Sequence, residues 1–227
     1  MTDGYLLTKY LHLLAFAYWL GADLGVFYAA RLAARGDLAT AERRRALRLA
    51  LLLDMGPRTG LILVLPSGFT LTVLGGWLEA GSPAIVAAWL VAGAWLALAW
   101  WLFLAGERPA GAAQRWRRVD LGVRAVVIAG SLLAAVSSLA GLGPLRASWL
   151  ALKLLLYAAV VAIGVVLRFL LADWFRGMSL VAAGGSDVAR GNAIVARASL
   201  RAERWALLLW LLVAAIALLG VTQPALR

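Results

Sequence analysis

Cysteine is absent from the 227-residue sequence, and histidine occurs only once, as His12. The missing thiols exclude disulfides, thiolate metal sites and cysteine nucleophiles, and they leave the redox compartment undetermined. Methionine occurs only three times, and acidic residues number 11 against 22 lysines and arginines. A single histidine also excludes a cytochrome whose haem iron is held by two histidines of the same chain.

Long apolar runs make up most of the chain. Hydrophobic residues account for 64% of it, its mean hydropathy is +0.89, and charged residues account for 15%. The core of a single soluble domain cannot bury this many apolar side chains, so the sequence predicts an all-α polytopic membrane protein. We expect a six-helix transmembrane bundle that forms one domain over residues 1–227. The first apolar stretch exceeds signal-peptide length and carries ionisable residues, so we expect it to be retained. Spans are predicted at residues 5–32, 57–78, 83–105, 121–143, 148–175 and 204–223.

Basic residues are concentrated in alternate connections between these spans. By the positive-inside rule these connections face the cytoplasm and both termini face outward, which predicts a multi-pass protein of the bacterial inner membrane. Contact with anionic lipids of the bilayer accounts for the net charge of +11. Because the arginines are scattered next to spans, we expect no nucleic-acid partner. The basic connections hold Arg35, Arg43, Arg44, Arg45 and Arg48, then Arg108, Arg115, Arg117 and Arg118, then Arg176, Arg190, Arg197 and Arg201; the other side has Arg146 and the C-terminal Arg227.

Ionisable residues make the first span the best candidate for a site. Such groups are costly inside a bilayer and indicate a binding site, a proton pathway or a cofactor. Each also has a structural interpretation, as a hydrogen-bonded histidine, a lysine that snorkels to the interface, or an aspartate held by a hydrogen bond. Lys153, in the fifth span, should lie in the outer half of the bilayer at a depth similar to that of His12. At about 100° per residue, one face of the first span carries Lys9, His12, Phe16, Trp19, Asp23 and Phe27.

The other side of the first span carries small residues spaced four apart, namely Gly21, Gly25 and Ala29. This spacing is typical of a face that a neighbouring helix approaches closely. It predicts tight packing there, either within the bundle or against a partner helix of a homo-oligomer or of a partner membrane subunit.

The motif Asp-x-Gly-x-Arg occurs twice, over Asp54–Arg58 and Asp120–Arg124, each time at the predicted cytoplasmic start of a span. Trp89 and Trp149 follow at similar places in the next spans, which predicts a duplicated hairpin of spans two–three and four–five running in the same direction. In one interpretation each aspartate caps its helix and pairs with the arginine, which reaches the headgroups. In the other interpretation these residues bind an anionic group of a substrate.

Several of these segments resemble a known family. Lys9–His12, followed by Trp19 and Gly21, is similar to the first-helix pattern of the HemJ-type membrane protoporphyrinogen oxidases and of related CopD-like bacterial membrane families. Tyr28–Arg31 is similar to the Tyr-x-x-Arg that closes that helix, and Trp149–Leu154 to a later Trp-Leu-x-x-Lys-Leu. The likeness covers spans one, two and five best. The chain departs from HemJ-type proteins by having more spans and a first helix about one turn longer, which favours a sister family.

The resemblance implies a b-type haem whose axial ligand is His12. It implies that Lys153 acts near the porphyrin or its propionates, with Lys9 and Trp19 also beside the cofactor; two lysines would neutralise two propionates. The implied reaction removes electrons and protons from a reduced tetrapyrrole and passes the electrons through the haem to an acceptor such as quinone. Lys153 and Asp23 are then the candidate catalytic residues, Asp23 as a proton carrier.

Two other classes of function stay open. One is a transporter or permease, for copper by the CopD-like similarity or for an organic anion that Lys9, Lys153, Arg58 and Arg124 would bind. Copper selection usually needs several Met, Cys or His ligands, so one histidine and no cysteine argue against it. The other is a non-catalytic membrane subunit.

Overall fold

The computed structural model is all-α and describes residues 3–106 and 111–224. Within these residues six helical segments are long and apolar enough to cross a membrane, so the chain is a multi-pass membrane protein in contact with the lipid bilayer. Arg108 and Arg227, counted above among the basic residues, lie outside the described part of the chain. The helices are α1 (Asp3–Ala34), α2 (Thr40–Leu53), α3 (Met55–Leu74), α4 (Ser82–Leu104), α5 (Gly111–Leu139), α6 (Ser148–Ala183) and α7 (Asp187–Thr222), with α2 and α3 separated by Asp54 alone.

The centre of the bundle is built around α6. This helix packs against α5 on one side and α7 on the other, while α1 packs against α2 and α3 and more lightly against α7. Tyr157 of α6 donates a hydrogen bond of 2.9 Å from its hydroxyl to the Leu61 carbonyl of α3, which ties the two groups of helices together. The buried core around this bond is Trp19, Leu61, Ile62, Ala92, Trp95, Ala99, Tyr157, Val160, Val161, Ile163, Leu209 and Val213.

Three helices are longer than the spans predicted from the sequence. α5 begins at 111 instead of 121, α6 ends at 183 instead of 175, and α7 begins at 187 instead of 204, whereas the other ends agree within about four residues. The 36 residues of α6 measure about 54 Å, against about 30 Å of hydrocarbon, so this helix extends beyond the membrane. The extra turns bury a second apolar cluster at the arginine-rich end, formed by Ala33, Ala46, Trp174, Met178, Val195 and Ala198.

Arg43 fixes this end of the bundle. Its side chain is 2% exposed, and its Nε donates to the Ala33 carbonyl at 3.0 Å, in the last turn of α1. Its Nη1 donates to Oδ1 of Asn192 at 2.8 Å, so one guanidinium joins α1, α2 and α7. A cation at this position also interacts favourably with the C-terminal dipole of α1.

The closest approach of α1 to a neighbour occurs at glycines of α3. A Cβ at Gly60 would lie 2.5 Å from Cβ of Trp19 and 2.8 Å from the Ala15 carbonyl oxygen, and a Cβ at Gly56 would overlap Ala22. Gly21, in contrast, is exposed and has open space around it. The other two small residues predicted on α1 do pack: a Cβ at Gly25 would lie 3.0 Å from Cδ1 of Leu53, and Ala29 is buried.

Gly60→Ala should therefore destabilise the protein, because its methyl group would push α1 and α3 apart. We expect a loss of about 1–3 kcal/mol in the free energy of unfolding, as for other overpacked cores. Gly21→Ala is the matched control and should be neutral or slightly stabilising, since alanine is the better helix former. Thermal unfolding of both variants in detergent measures the difference, and equal midpoints would contradict the α1–α3 packing.

Candidate functional site

His12 lies half-buried on α1 and faces α3. Its Nδ1 is 2.9 Å from Oγ of Ser67, and that hydroxyl donates its only proton to the Leu63 carbonyl at 2.6 Å. With that proton donated to Leu63, Ser67 accepts from His12, and we assign the imidazole proton to Nδ1 on this basis. The other ring nitrogen, Nε2, carries a free lone pair and has no hydrogen-bond partner among the described residues. This is the tautomer that a metal-ligating histidine needs.

Lys153 lies near His12, in the half of the bundle away from the arginine-rich end. Its Nζ is 5.8 Å from the centre of the Trp149 ring and packs against the bare Cα of Gly220, where a Cβ would lie 2.8 Å away. The ammonium is within electrostatic range of His12, and it forms no ion pair within the described part of the chain. We call the group His12, Ser67 and Lys153 the outer site. Lys9, one turn further out, is exposed, as expected for a lysine that snorkels.

The predicted stripe on α1 does not form one site. Trp19, one to two turns further in than His12, is 4% exposed and packs over Gly60. Asp23 lies beyond it, about 16 Å from His12 along the helix axis. Its Oδ2 accepts a hydrogen bond of 2.6 Å from Nε1 of Trp210 in α7. Asp23 therefore belongs to a second region, separated from the outer site by packed side chains.

That second region is a cavity of about 220 Å³ at the arginine-rich end of the bundle, which we call the inner cavity. Residues of α1, α2, α3, α5, α6 and α7 line it, and most of the lining is apolar. Its ionisable lining residues are Asp23, Arg31, Asp54, Arg58, Arg124, Arg168 and Glu203. The repeated motif thus contributes Arg58 and Arg124 to the same space, while His12 and Lys153 do not line it.

Asp120 connects three helices beside the inner cavity. Its side chain is 3% exposed, and its Oδ1 accepts a hydrogen bond of 3.0 Å from Nε1 of Trp95 in α4. Its Oδ2 accepts from Nε of Arg124 at 3.1 Å and also pairs with Arg168 of α6. The guanidinium of Arg124 lies over the Trp95 ring, 5.7 Å from its centre. One carboxylate therefore serves two arginines.

The repeated aspartates do not act as helix caps. Asp54 precedes α3 but makes no capping hydrogen bond, and Asp120 lies well inside α5. Both do pair with the arginine four residues on, as the spacing predicts. Arg124 is 7% exposed, so it does not reach the headgroups and the expectation that it would is wrong.

The sequence reasoning missed Ser67, Trp95 and Arg168. Arg168 had a usable signal, because it is an ionisable residue inside the fifth predicted span, just as Lys153 is. Ser67 and Trp95 are uncharged, so the sequence carried no signal that they belong to a site. Within residues 3–106 and 111–224, no three His, Cys, Asp or Glu side chains gather into a group that could hold a metal ion.

Comparisons with protein-family models, with curated proteins and with solved structures find no match to this chain. The resemblance to HemJ-type proteins thus stays a prediction.

Asp120→Asn should destabilise the protein strongly, because it would leave the buried guanidinium of Arg124 and the half-buried one of Arg168 with no carboxylate. We expect a loss of about 3–5 kcal/mol in the free energy of unfolding, as for a broken buried ion pair. The control is Asp173→Asn, which breaks an exposed pair with Arg176 and should cost at most about 1 kcal/mol. Denaturant titration in detergent compares the two, and a similar loss in both variants would show that the shared carboxylate has no special role.

Proposed function

We propose that the protein is a haem b-binding membrane redox protein with His12 as an axial ligand of the iron. The observation that carries the proposal is the hydrogen bond between Nδ1 of His12 and Ser67, from which the tautomer of His12 is inferred. Ser67 holds the proton on Nδ1, so the lone pair of Nε2 is free to bind a metal. A histidine kept only for structure would be expected to use both of its nitrogens.

The other residues of the outer site fit the same cofactor. Lys153 is a cation without a carboxylate partner among the described residues, so it is suited to bind a propionate. Lys9 lies one turn further out and can bind the second propionate near the interface. A haem bound here would supply one-electron redox chemistry. The residues of the chain would orient it, exclude water and neutralise its carboxylates.

The second axial position has no clear protein ligand. Met55 is 2% exposed at the start of α3, and Met178 belongs to the apolar cluster at the arginine-rich end. Both therefore lie far down the bundle from His12. A haem bound here would be held by His12, and any further ligand would come from water, a lysine or a partner.

By the HemJ-type resemblance we infer that the substrate is a reduced tetrapyrrole and the electron acceptor a quinone. Lys153 is then the candidate catalytic residue, because it lies beside His12. Asp23 is too far from His12 to act directly on a group bound there. Its place in the inner cavity suits a proton carrier between the bundle interior and the arginine-rich side.

We infer further that the arginine-rich end faces the cytoplasm of a bacterial inner membrane, with both termini outward. A duplicated hairpin of α3–α4 and α5–α6 is supported by the two Asp–Arg pairs, which both bring an arginine to the inner cavity. The two tryptophans of the predicted repeat do not lie at equivalent positions, since Trp149 is the second residue of α6 while Trp89 lies two turns into α4.

A copper permease has less support, because the described residues contain no cluster of ligands for the metal beyond the single histidine.

His12→Ala should abolish haem binding while leaving membrane insertion intact. Each variant would be purified from a host supplied with haem precursors, and the haem per chain measured by absorbance. Leu13→Ala is the control, because it changes an exposed residue next to His12 on α1 and keeps the proposed iron ligand and both lysines. Unchanged haem content in His12→Ala would rule out His12 as the ligand.

Ser67→Ala should weaken haem binding about 10- to 100-fold, the usual effect of removing the hydrogen-bond partner of a metal-bound histidine. The methyl group leaves the packing around the ring almost unchanged, and titration of the apoprotein with hemin gives the affinity. Thr72→Ala also removes a hydroxyl bonded within α3 and is the control. If Ser67→Ala and wild type bind hemin equally, the inferred tautomer does not matter for binding.

A further inference from the structure

The inner cavity carries an inference that does not depend on the haem proposal. We propose that it binds a small organic monocarboxylate, a compound with one carboxylate group and a short apolar body.

The balance of charge in the cavity wall indicates an anion. Asp120 is shared by Arg124 and Arg168, whereas the other two arginines of the wall each have a carboxylate of their own. One positive charge is therefore uncompensated on the α5–α6 side of the cavity. Asp23, which also lines the cavity, is hydrogen-bonded to Trp210 of α7 and pairs with no arginine of the described chain, so it does not neutralise the charge on that side. The matched pairs are Arg58 with Asp54 and Arg31 with Glu203.

Free hydrogen-bond donors line the same cavity. Both oxygens of Asp120 are already occupied, one by Trp95 and one by the two arginines. The Nη atoms of Arg124 consequently donate to no group among the described residues, although this side chain lines the cavity. The hydroxyl of Ser199, elsewhere in the lining, is also buried without a hydrogen-bond partner among the described residues. A planar carboxylate can accept two hydrogen bonds from a guanidinium such as that of Arg124.

The volume of the inner cavity and the side chains of its wall restrict the ligand to a small, partly apolar compound. A volume of about 220 Å³ is smaller than the pockets of roughly 300–1,000 Å³ that hold drug-sized ligands, so the body of the ligand must be short. The remaining wall is formed largely by leucine, valine and aromatic side chains, which favour an apolar body. One uncompensated charge matches a carboxylate better than a phosphate monoester, whose charge is about −1.5 to −2.

Calorimetric titration of the full chain in nanodiscs of zwitterionic lipid tests the proposal. Hexanoate should bind, hexanamide should bind at least tenfold more weakly, and inorganic phosphate should not compete. The same affinity is expected in nanodiscs of phosphatidylglycerol. It is also expected in His12→Ala, because the outer site is separate; failure of the haem proposal would thus leave this result unchanged.

Three variants test the location of the site. Arg168→Gln should weaken hexanoate at least tenfold, since it removes the uncompensated charge. Arg176→Gln, two turns further along α6 and exposed, is the matched control and should bind as wild type. Gly164→Leu keeps every charge but fills the space beside Nη1 of Arg124, which lies 3.8 Å from the position of an added Cβ, and should abolish binding. This variant keeps the test valid if Arg168→Gln does not fold.

Equal binding of hexanoate and hexanamide, or binding of phosphate but not of hexanoate, would overturn the proposal. Loss of hexanoate binding in phosphatidylglycerol would also overturn it, because a lipid phosphate would then occupy the site. So would an unchanged affinity for hexanoate in both Arg168→Gln and Gly164→Leu.

Discussion

The carboxylate of Asp120 is the interaction on which most of the structure depends. It joins α4, α5 and α6 through Trp95, Arg124 and Arg168, in a part of the molecule where an unpaired charge is very costly. Because it can balance only one of the two guanidiniums, the residue that joins the helices also leaves one guanidinium without a carboxylate of its own on the α5–α6 side of the adjoining cavity. The same carboxylate therefore determines both how these three helices are held together and how charge is distributed in the cavity wall beside them.

Packing of α1 divides the ionisable groups into two environments. Trp19 fills the space that Gly60 leaves open, and this contact separates His12, with Ser67 and Lys153, from Asp23 in the inner cavity. One region offers a free nitrogen lone pair beside a cation, and the other offers guanidiniums beside apolar walls. A single protein can in this way hold a metal-binding cofactor near one membrane face and an anion near the other.

Local features of this structure could be predicted from the sequence, and features that depend on distant residues could not. The membrane class follows from composition, and the two Asp–Arg pairs follow from their i,i+4 spacing on a helix. The pairing of Arg168 with Asp120 spans 48 residues, so no local pattern shows it. The helix extensions were missed because hydropathy detects only the turns inside the lipid, while these turns are stabilised by Trp174 and Val195 in a separate cluster.

The central claim is that the outer site holds a haem, and an optical spectrum of the purified wild-type protein tests it most directly. The protein would be produced with haem precursors, and spectra would be taken after air oxidation and after reduction with dithionite. The account predicts about one haem per chain, with a Soret band that shifts on reduction. A colourless protein that stays colourless after hemin is added would contradict it and leave His12 with a structural role only.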